Sequence, residues 1–269
     1  MADRIPVVVG ITTLPTRIPF MRPCLESLLD GLLVPDRIFV SVPEFSIREN
    51  STYAIPDFFH DQRISEKVEV IRVEHDCGPG TKLLGMLGKI DKPSYIVLVD
   101  DDLTYKHFLL RRLIESQRCN HHSSFSFFNY SLLGLQVGQG HDGFSFWSPN
   151  LAGIFDFYTA YVANTDLMFH DDLWISFYLM SRRVRVQSLQ QQLEGTGQSR
   201  VYDDIHTINA LADETGRLSR PRLNGLVCSL FNKAAVPRKI FQELLKSPPD
   251  DPCICGSGKR YEDCHGSPI

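Results

Sequence analysis

The chain has 269 residues, 43% of them hydrophobic, and a formal net charge of −4. That length and composition suit one sizeable α/β core with a small appendage. The charge balance gives no basic field to argue for a nucleic-acid partner, and no stretch approaches the ~20 apolar residues needed to cross a bilayer.

In chain order, Val7-Val8-Val9-Gly10-Ile11 reads as a buried strand: short, continuous, β-branched and closed by glycine. This apolar run is too short for a signal-peptide core, so the expected location is the cytoplasm, or the cytoplasmic side of a membrane through a partner. Thr12 to Arg17 forms the loop after it. Phe20 to Leu33 carries apolar residues at helical spacing, with Gly31 as a stop. Arg37 to Val42 and Val68 to Val73 read as the second and third strands. Thr81 to Ile90 reads as a short helix, and Tyr95 to Val99 as a fourth strand, apolar on both faces and therefore central. Strands alternating with helices predict a mostly parallel sheet flanked by helices on both faces.

The second half is less regular. Phe125 to Trp147 is rich in aromatics, glycine and serine and is expected to hold strands and loops. Arg182-Arg183-Val184-Arg185 is the densest basic patch and reads as a helix end or strand edge. Leu173 to Met180 is helix-like, and Ser188 to Arg200 reads as a loop. Ser247-Pro248-Pro249-Asp250-Asp251-Pro252 is a stiff polar linker, which divides the chain into a domain over 1–246, a linker over 247–252 and a tail over 253–269. Of the seven cysteines, Cys24, Cys77, Cys119 and Cys228 are scattered in apolar sequence and are expected as buried free thiols of a reducing compartment.

Asp100, Asp101 and Asp102 follow the fourth strand directly. In open α/β sheets, ligands bind beyond the carboxyl ends of the strands. Adjacent carboxylates in a cleft repel one another and lose solvation, and a divalent cation relieves that cost. Hard oxygen ligands suit Mg²⁺ or Mn²⁺ with positions left open for phosphates. Asp100-Asp101-Asp102-Leu103-Thr104 fits two patterns. One is the Asp-x-Asp motif of GT-A glycosyltransferases. The other is the Asp-x-Asp-x-Thr of haloacid dehalogenase-like phosphatases, where Asp100 is the nucleophile and Asp102 the acid/base.

The position of the motif separates the two. Phosphatases of that kind usually carry it on the first strand, and here strands precede it. Over about 110 residues the N-terminal half resembles bacterial and viral GT-A glycosyltransferases, which have a Rossmann-like fold. The resemblance rests on Asp76-Cys77-Gly78-Pro79-Gly80-Thr81-Lys82 opening a helix ahead of the Asp100–Asp102 run. It implies that Asp100 approaches the donor nucleoside and that Asp102, with Asp100, binds the metal bridging the donor diphosphate, with Asp101 adjacent. Thr12, Thr13 and Arg17 are placed to meet the nucleotide, and Lys82, at a helix start, to meet an anion. The second strand ends in Ser41-Val42-Pro43-Glu44 where such enzymes often have Asp-Asp-Gly-Ser, so recognition of the base is left open.

Phe169-His170-Asp171-Asp172-Leu173-Trp174 forms a second acidic cluster. One carboxylate suffices to cap a helix. By the same resemblance, Asp171 or Asp172 is the general base of an inverting transfer to a glycan or other acceptor hydroxyl. Trp174 reads either as a sugar-stacking surface or as core, and His170 or His206 either completes the metal shell or is simply hydrogen-bonded.

Cys253, Cys255, Cys264 and His265 fall within thirteen residues. Thiolate and imidazole ligands suit tetrahedral Zn²⁺, which supplies folding energy to a peptide too short to build a core. The run resembles the SEC-C motif, which implies that these four residues bind a structural zinc and that the tail contacts a protein partner. The sequence thus predicts a nucleotide-sugar-dependent glycosyltransferase with a zinc-binding tail. The rivals are the phosphatase and a non-catalytic adaptor acting through that tail.

Overall fold

The structure is a computed structural model that describes residues 4–194, 196–204, 220–234, 250 and 259–260. Cys253, Cys255, Cys264, His265 and His206 lie outside the described residues, as does most of the linker expected at 247–252.

The first strand, β1 (Val7–Ile11), leads through a 3₁₀ turn at Ile18–Phe20 into helix α1 (Arg22–Leu29). There follow β2 (Arg37–Pro43), the one-turn α2 (Gln62–Ser65), β3 (Val68–Val73), α3 (Thr81–Leu87) and β4 (Tyr95–Leu98). The second half holds β5 (Leu103–Tyr105), α4 (Leu109–Cys119), β6 (Ser123–Ser126), β7 (Asn129–Leu132), β8 (Leu135–Gly138) and β9 (Phe144–Trp147). Last come α5 (Ile154–Tyr161), α6 (Asp171–Ser181), β10 (Arg185–Ser188), β11 (Tyr202–Asp204) and α7 (Arg220–Ala234). The helix expected from Phe20 starts later because Pro23 suits only a first turn. Phe20 itself is exposed.

The main sheet runs β10-β6-β9-β4-β1-β2-β3. β1, β2, β3 and β4 pair in parallel, as do β6 and β10, and β9 pairs antiparallel with β4 and β6. The chain leaves β1 toward β2 and β3, then returns to β4 on the other side of β1. That reversal opens a crevice at the carboxyl ends of β1 and β4. Two smaller ribbons, β5–β11 and β7–β8, flank the sheet.

Strand alternation sorts the apolar side chains to the two faces. Val7, Val9, Ile11, Val40 and Val97 join a core with α1 and α4. Val8, Phe39, Ile96 and Leu98 join a second core with α3 and α6. Helix α6 is buried on nearly every side, from Leu173 to Met180. Trp174 is among its fully buried residues, which places it in the core and not on a sugar.

Two glycines set the height of α3 over the sheet. A Cβ on Gly10 would lie 2.5 Å from Met86 Sδ and 2.6 Å from the Lys82 carbonyl oxygen. A Cβ on Gly85 would lie 2.7 Å from the Ser41 side chain. Without those two side chains the helix beds directly on β1 and β2. Of the four scattered cysteines, only Cys24 is buried; Cys77 and Cys228 are half-buried and Cys119 is exposed.

Candidate active site

A cleft of ≈ 510 Å³ opens at the carboxyl ends of β1 and β4. Thr12, Thr13 and Arg17 reach it from the loop after β1, Lys82 from the first turn of α3, and Asp100 to Asp102 from the turn between β4 and β5. Asp171 and Asp172 enter from the start of α6. The structure therefore brings Thr12, Thr13, Arg17, Lys82, Asp100, Asp101, Asp102, Asp171 and Asp172 together in one cleft.

Their roles divide more sharply than the sequence shows. Asp101 is buried, and its carboxylate is taken by Thr13 Oγ1 and by the Arg17 guanidinium. Arg17 also pairs with Asp102 Oδ2 at 2.8 Å. Thr12 donates to the Ser41 carbonyl at 2.8 Å. Thr12, Thr13 and Asp101 thus spend their polar groups on the cleft wall, which leaves Asp100 and Asp102 facing the opening. The peptide of Asp100 is gripped from behind: its N–H donates to the Tyr105 hydroxyl at 2.8 Å, and Cys24 Sγ donates to its carbonyl at 3.3 Å.

Lys82 is almost wholly buried. Its Nζ donates to Asp100 Oδ1 at 2.7 Å and lies 3.0 Å from Asp171 Oδ2. The second contact is an ion pair off the hydrogen-bonding direction, so Asp171 Oδ2 keeps no hydrogen bond of its own. Asp172 Oδ1 accepts from the Gly140 N–H at 2.9 Å. One lysine thus joins the acidic run after β4 to the acidic pair on α6.

The turn that carries Lys82 explains how it gets there. Asp76 accepts from Gly78 N–H at 2.7 Å and from Ile47 N–H at 2.8 Å, and Thr81 Oγ1 accepts from Cys77 N–H at 3.0 Å. Gly78 has φ +60, and a Cβ there would lie 2.7 Å from the Met168 carbonyl oxygen. A Cβ on Gly80 would lie 2.7 Å from the Trp174 ring. Both glycines let this turn pack against the start of α6, which draws Lys82 toward Asp171.

The electrostatics follow from crowding. Asp76, Asp100, Asp101, Asp102, Asp171 and Asp172 line the cleft against the cations Arg17, Arg48 and Lys82, an excess of negative charge. Burial works against the charge of Asp100, but Lys82 holds its carboxyl below the usual range. Burial pushes Asp101 up despite Arg17. Burial and then the Asp100 charge push Asp102 up to about 6. Burial and the neighbouring Asp171 push Asp172 well up. Burial opposes the charge on Lys82, but Asp100, Asp171 and Asp172 outweigh it and keep the lysine protonated.

Among the described residues, no three His, Cys, Asp or Glu side chains already form a metal cluster. The donor set still fits Mg²⁺ or Mn²⁺ with a diphosphate, because such ions take one or two carboxylates and complete their shell with phosphate oxygens and water. The excess charge and the raised Asp102 both favour a cation beside Asp100 and Asp102. Sequence reasoning missed Tyr130, His141 and Tyr202, which also line the cleft. No local pattern marks them, since they arrive on the β7–β8 ribbon, the turn before β9 and β11.

The fold is that of the GT-A glycosyltransferases. A mannosyltransferase from Pyrobaculum calidifontis, solved with GDP-mannose and Mn²⁺, superposes with a TM-score of 0.55 at 13% identity, over 91% of this chain and 69% of that one. Glucosyl-3-phosphoglycerate synthase from Mycobacterium tuberculosis, solved with Mn²⁺, UDP and glucosyl-3-phosphoglycerate, gives 0.52 at 13% identity, over 87% of this chain and 81% of that one. S. aureus TarS 1-349 with UDP gives 0.50 at 14% identity, over 90% and 71%. No curated protein matches the sequence. The SEC-C motif matches residues 251–267 and so begins inside the linker expected at 247–252.

Proposed function

We propose that the chain is a glycosyltransferase that moves a sugar from a nucleoside-diphosphate donor to an acceptor hydroxyl. The observation that carries this reading is the pairing of two acidic clusters across one cleft, bridged by the buried Lys82. The fold supports it, since the neighbours above were solved with Mn²⁺ and GDP- or UDP-containing ligands.

Asp100 and Asp102 would hold Mn²⁺ or Mg²⁺, which neutralises the diphosphate as the glycosidic bond breaks. Arg17 and Thr13 fix Asp101 and so hold the turn that aims those two carboxylates. Asp172 is the general base. Its partner Asp171 is tied to Lys82 by an ion pair, whereas burial and Asp171 raise the proton affinity of Asp172. A base on the acceptor side, opposite the leaving group, gives inversion at the anomeric carbon. The phosphatase reading of Asp100 finds no support in this fold.

Cys253, Cys255, Cys264 and His265 would hold a structural Zn²⁺ in a tail that begins after the transferase domain and serves a protein partner. Three thiols and an imidazole suit that ion. No described helix is long and apolar enough to cross a membrane, which is compatible with work in the cytoplasm.

A thermal-shift screen of UDP, GDP, dTDP and CMP with and without Mn²⁺ tests the central claim. Stabilisation that needs Mn²⁺ and disappears in Asp102→Ala is the expected result. A flat response to every nucleotide would overturn it.

A further inference from the structure

The turn between β8 and β9 takes part in both halves of the cleft, although no motif marks it. Gly140 donates its N–H to Asp172, and a Cβ added to Gly140 would lie 2.9 Å from Lys82 Nζ and 3.5 Å from Asp100 Oδ1. The next residue, His141, faces the same cleft. Its Nε2 lies 3.1 Å from Asp142 Oδ2. Asp142 is 2% exposed and also accepts from Gln139 Nε2 at 3.1 Å. On the other side, the ring of Tyr202 meets the His141 ring edge-on, with centroids 5.7 Å apart. The imidazole is therefore flanked by a buried carboxylate and a tyrosine, with Nε2 on the Asp142 side. A histidine fixed in this way, beside a run of carboxylates, does not serve the core.

We infer that His141, oriented by Asp142, binds the diphosphate of the donor. The inference rests on the glycosyl-transfer reading of this cleft. Nε2 is turned to Asp142, and an N–H at Nδ1 donates to a phosphate oxygen. During transfer the anomeric C–O bond breaks and its electron pair stays on the diphosphate oxygen. A positioned N–H donor stabilises that growing charge without taking part in covalent chemistry. The acceptor oxygen forms the new bond, and its proton goes to the base on α6. Asp142 is a positioning residue that acts through His141.

Inorganic pyrophosphate with Mn²⁺ is the probe, because it needs no knowledge of the base or sugar. Calorimetry on the full chain is expected to show binding that weakens about tenfold in His141→Ala, the range of one charge-assisted hydrogen bond. Mn²⁺ alone, followed by electron paramagnetic resonance, is expected to bind His141→Ala as it binds the wild type. If His141→Ala does not fold, His141→Gln gives the same comparison with a neutral amide in place of the ring. Unchanged pyrophosphate affinity in the variant overturns the proposal and leaves the functional reading standing. Loss of binding to Mn²⁺ alone also overturns it, since His141 is then a metal ligand. Failure of the wild type to bind Mn²⁺-pyrophosphate overturns both.

Discussion

On the sheet side of the cleft, Asp100 to Asp102 are tied down many times over. Tyr105 and Cys24 hold the Asp100 peptide, Thr13 and Arg17 hold Asp101, and β1 and β4 run side by side beneath them. On the helix side, Asp171 and Asp172 depend on one lysine and one backbone N–H. The sheet side therefore keeps its geometry without a ligand and can leave two carboxylates facing the opening. The helix side has little redundancy, and Lys82 is the part through which the first side can influence the second.

Removing the proposed base tests the helix side most directly. Asp172→Asn is expected to lower kcat by about 10²–10⁴-fold, with Mn²⁺-nucleotide binding retained. If nucleotide binding collapses as well, the two sides are not separable. Lys82→Met leaves Asp100 and Asp171 near one another without their cation, and losing one partner of a buried ion pair costs about 3–5 kcal/mol. Chemical denaturation reads that loss, and an unchanged midpoint would mean the bridge is slack.

A pH series sharpens the contrast from the sheet side. Asp102 and Asp142 stand at about 6 in the fold, each raised from 3.8 first by burial. A raised folded value means stability that is complete below about 3.8 and lost as pH rises through about 6. The double change Asp102→Asn, Asp142→Asn is thus expected to stabilise the metal-free protein above pH 7, on the order of 2 kcal/mol, and to add little at pH 4. A gain equal at both pH values would refute the assignment. The smallest effect is expected of Gly140→Ala, whose new methyl group meets Lys82 Nζ and Asp172 Oδ1. Turnover should drop a few-fold with little change in melting temperature.

Much of the sheet side was legible in the sequence because its signals are local. β1 and β3 fall where continuous or alternating apolar residues place them, and the Asp run follows β4 as the pattern requires. Helix α6 was visible from Leu173 onward, and the structure adds Asp171 and Asp172 as its first turn. Helix α4 was not among the expected elements, although Leu109, Leu110, Leu113 and Ile114 recur at helical spacing and are all buried. The pairing of β5 with β11 was hidden because it joins residues almost a hundred positions apart. For the same reason His141 and Tyr130 carry no local mark: a cleft wall built by long-range packing leaves no short pattern to read.

Gly10 does not line the cleft and lies under α3, yet it fixes how low that helix sits, since the Lys82 carbonyl oxygen is 2.6 Å from where its side chain would begin. Any side chain there lifts the first turn of α3 and with it the cation that bridges the two acidic clusters. Position 10 is therefore a remote control point for directed evolution. Selection for altered metal demand or acceptor choice should sample it with the cleft lining, because a shift there changes the spacing of every charge around Lys82 while leaving each of their identities intact.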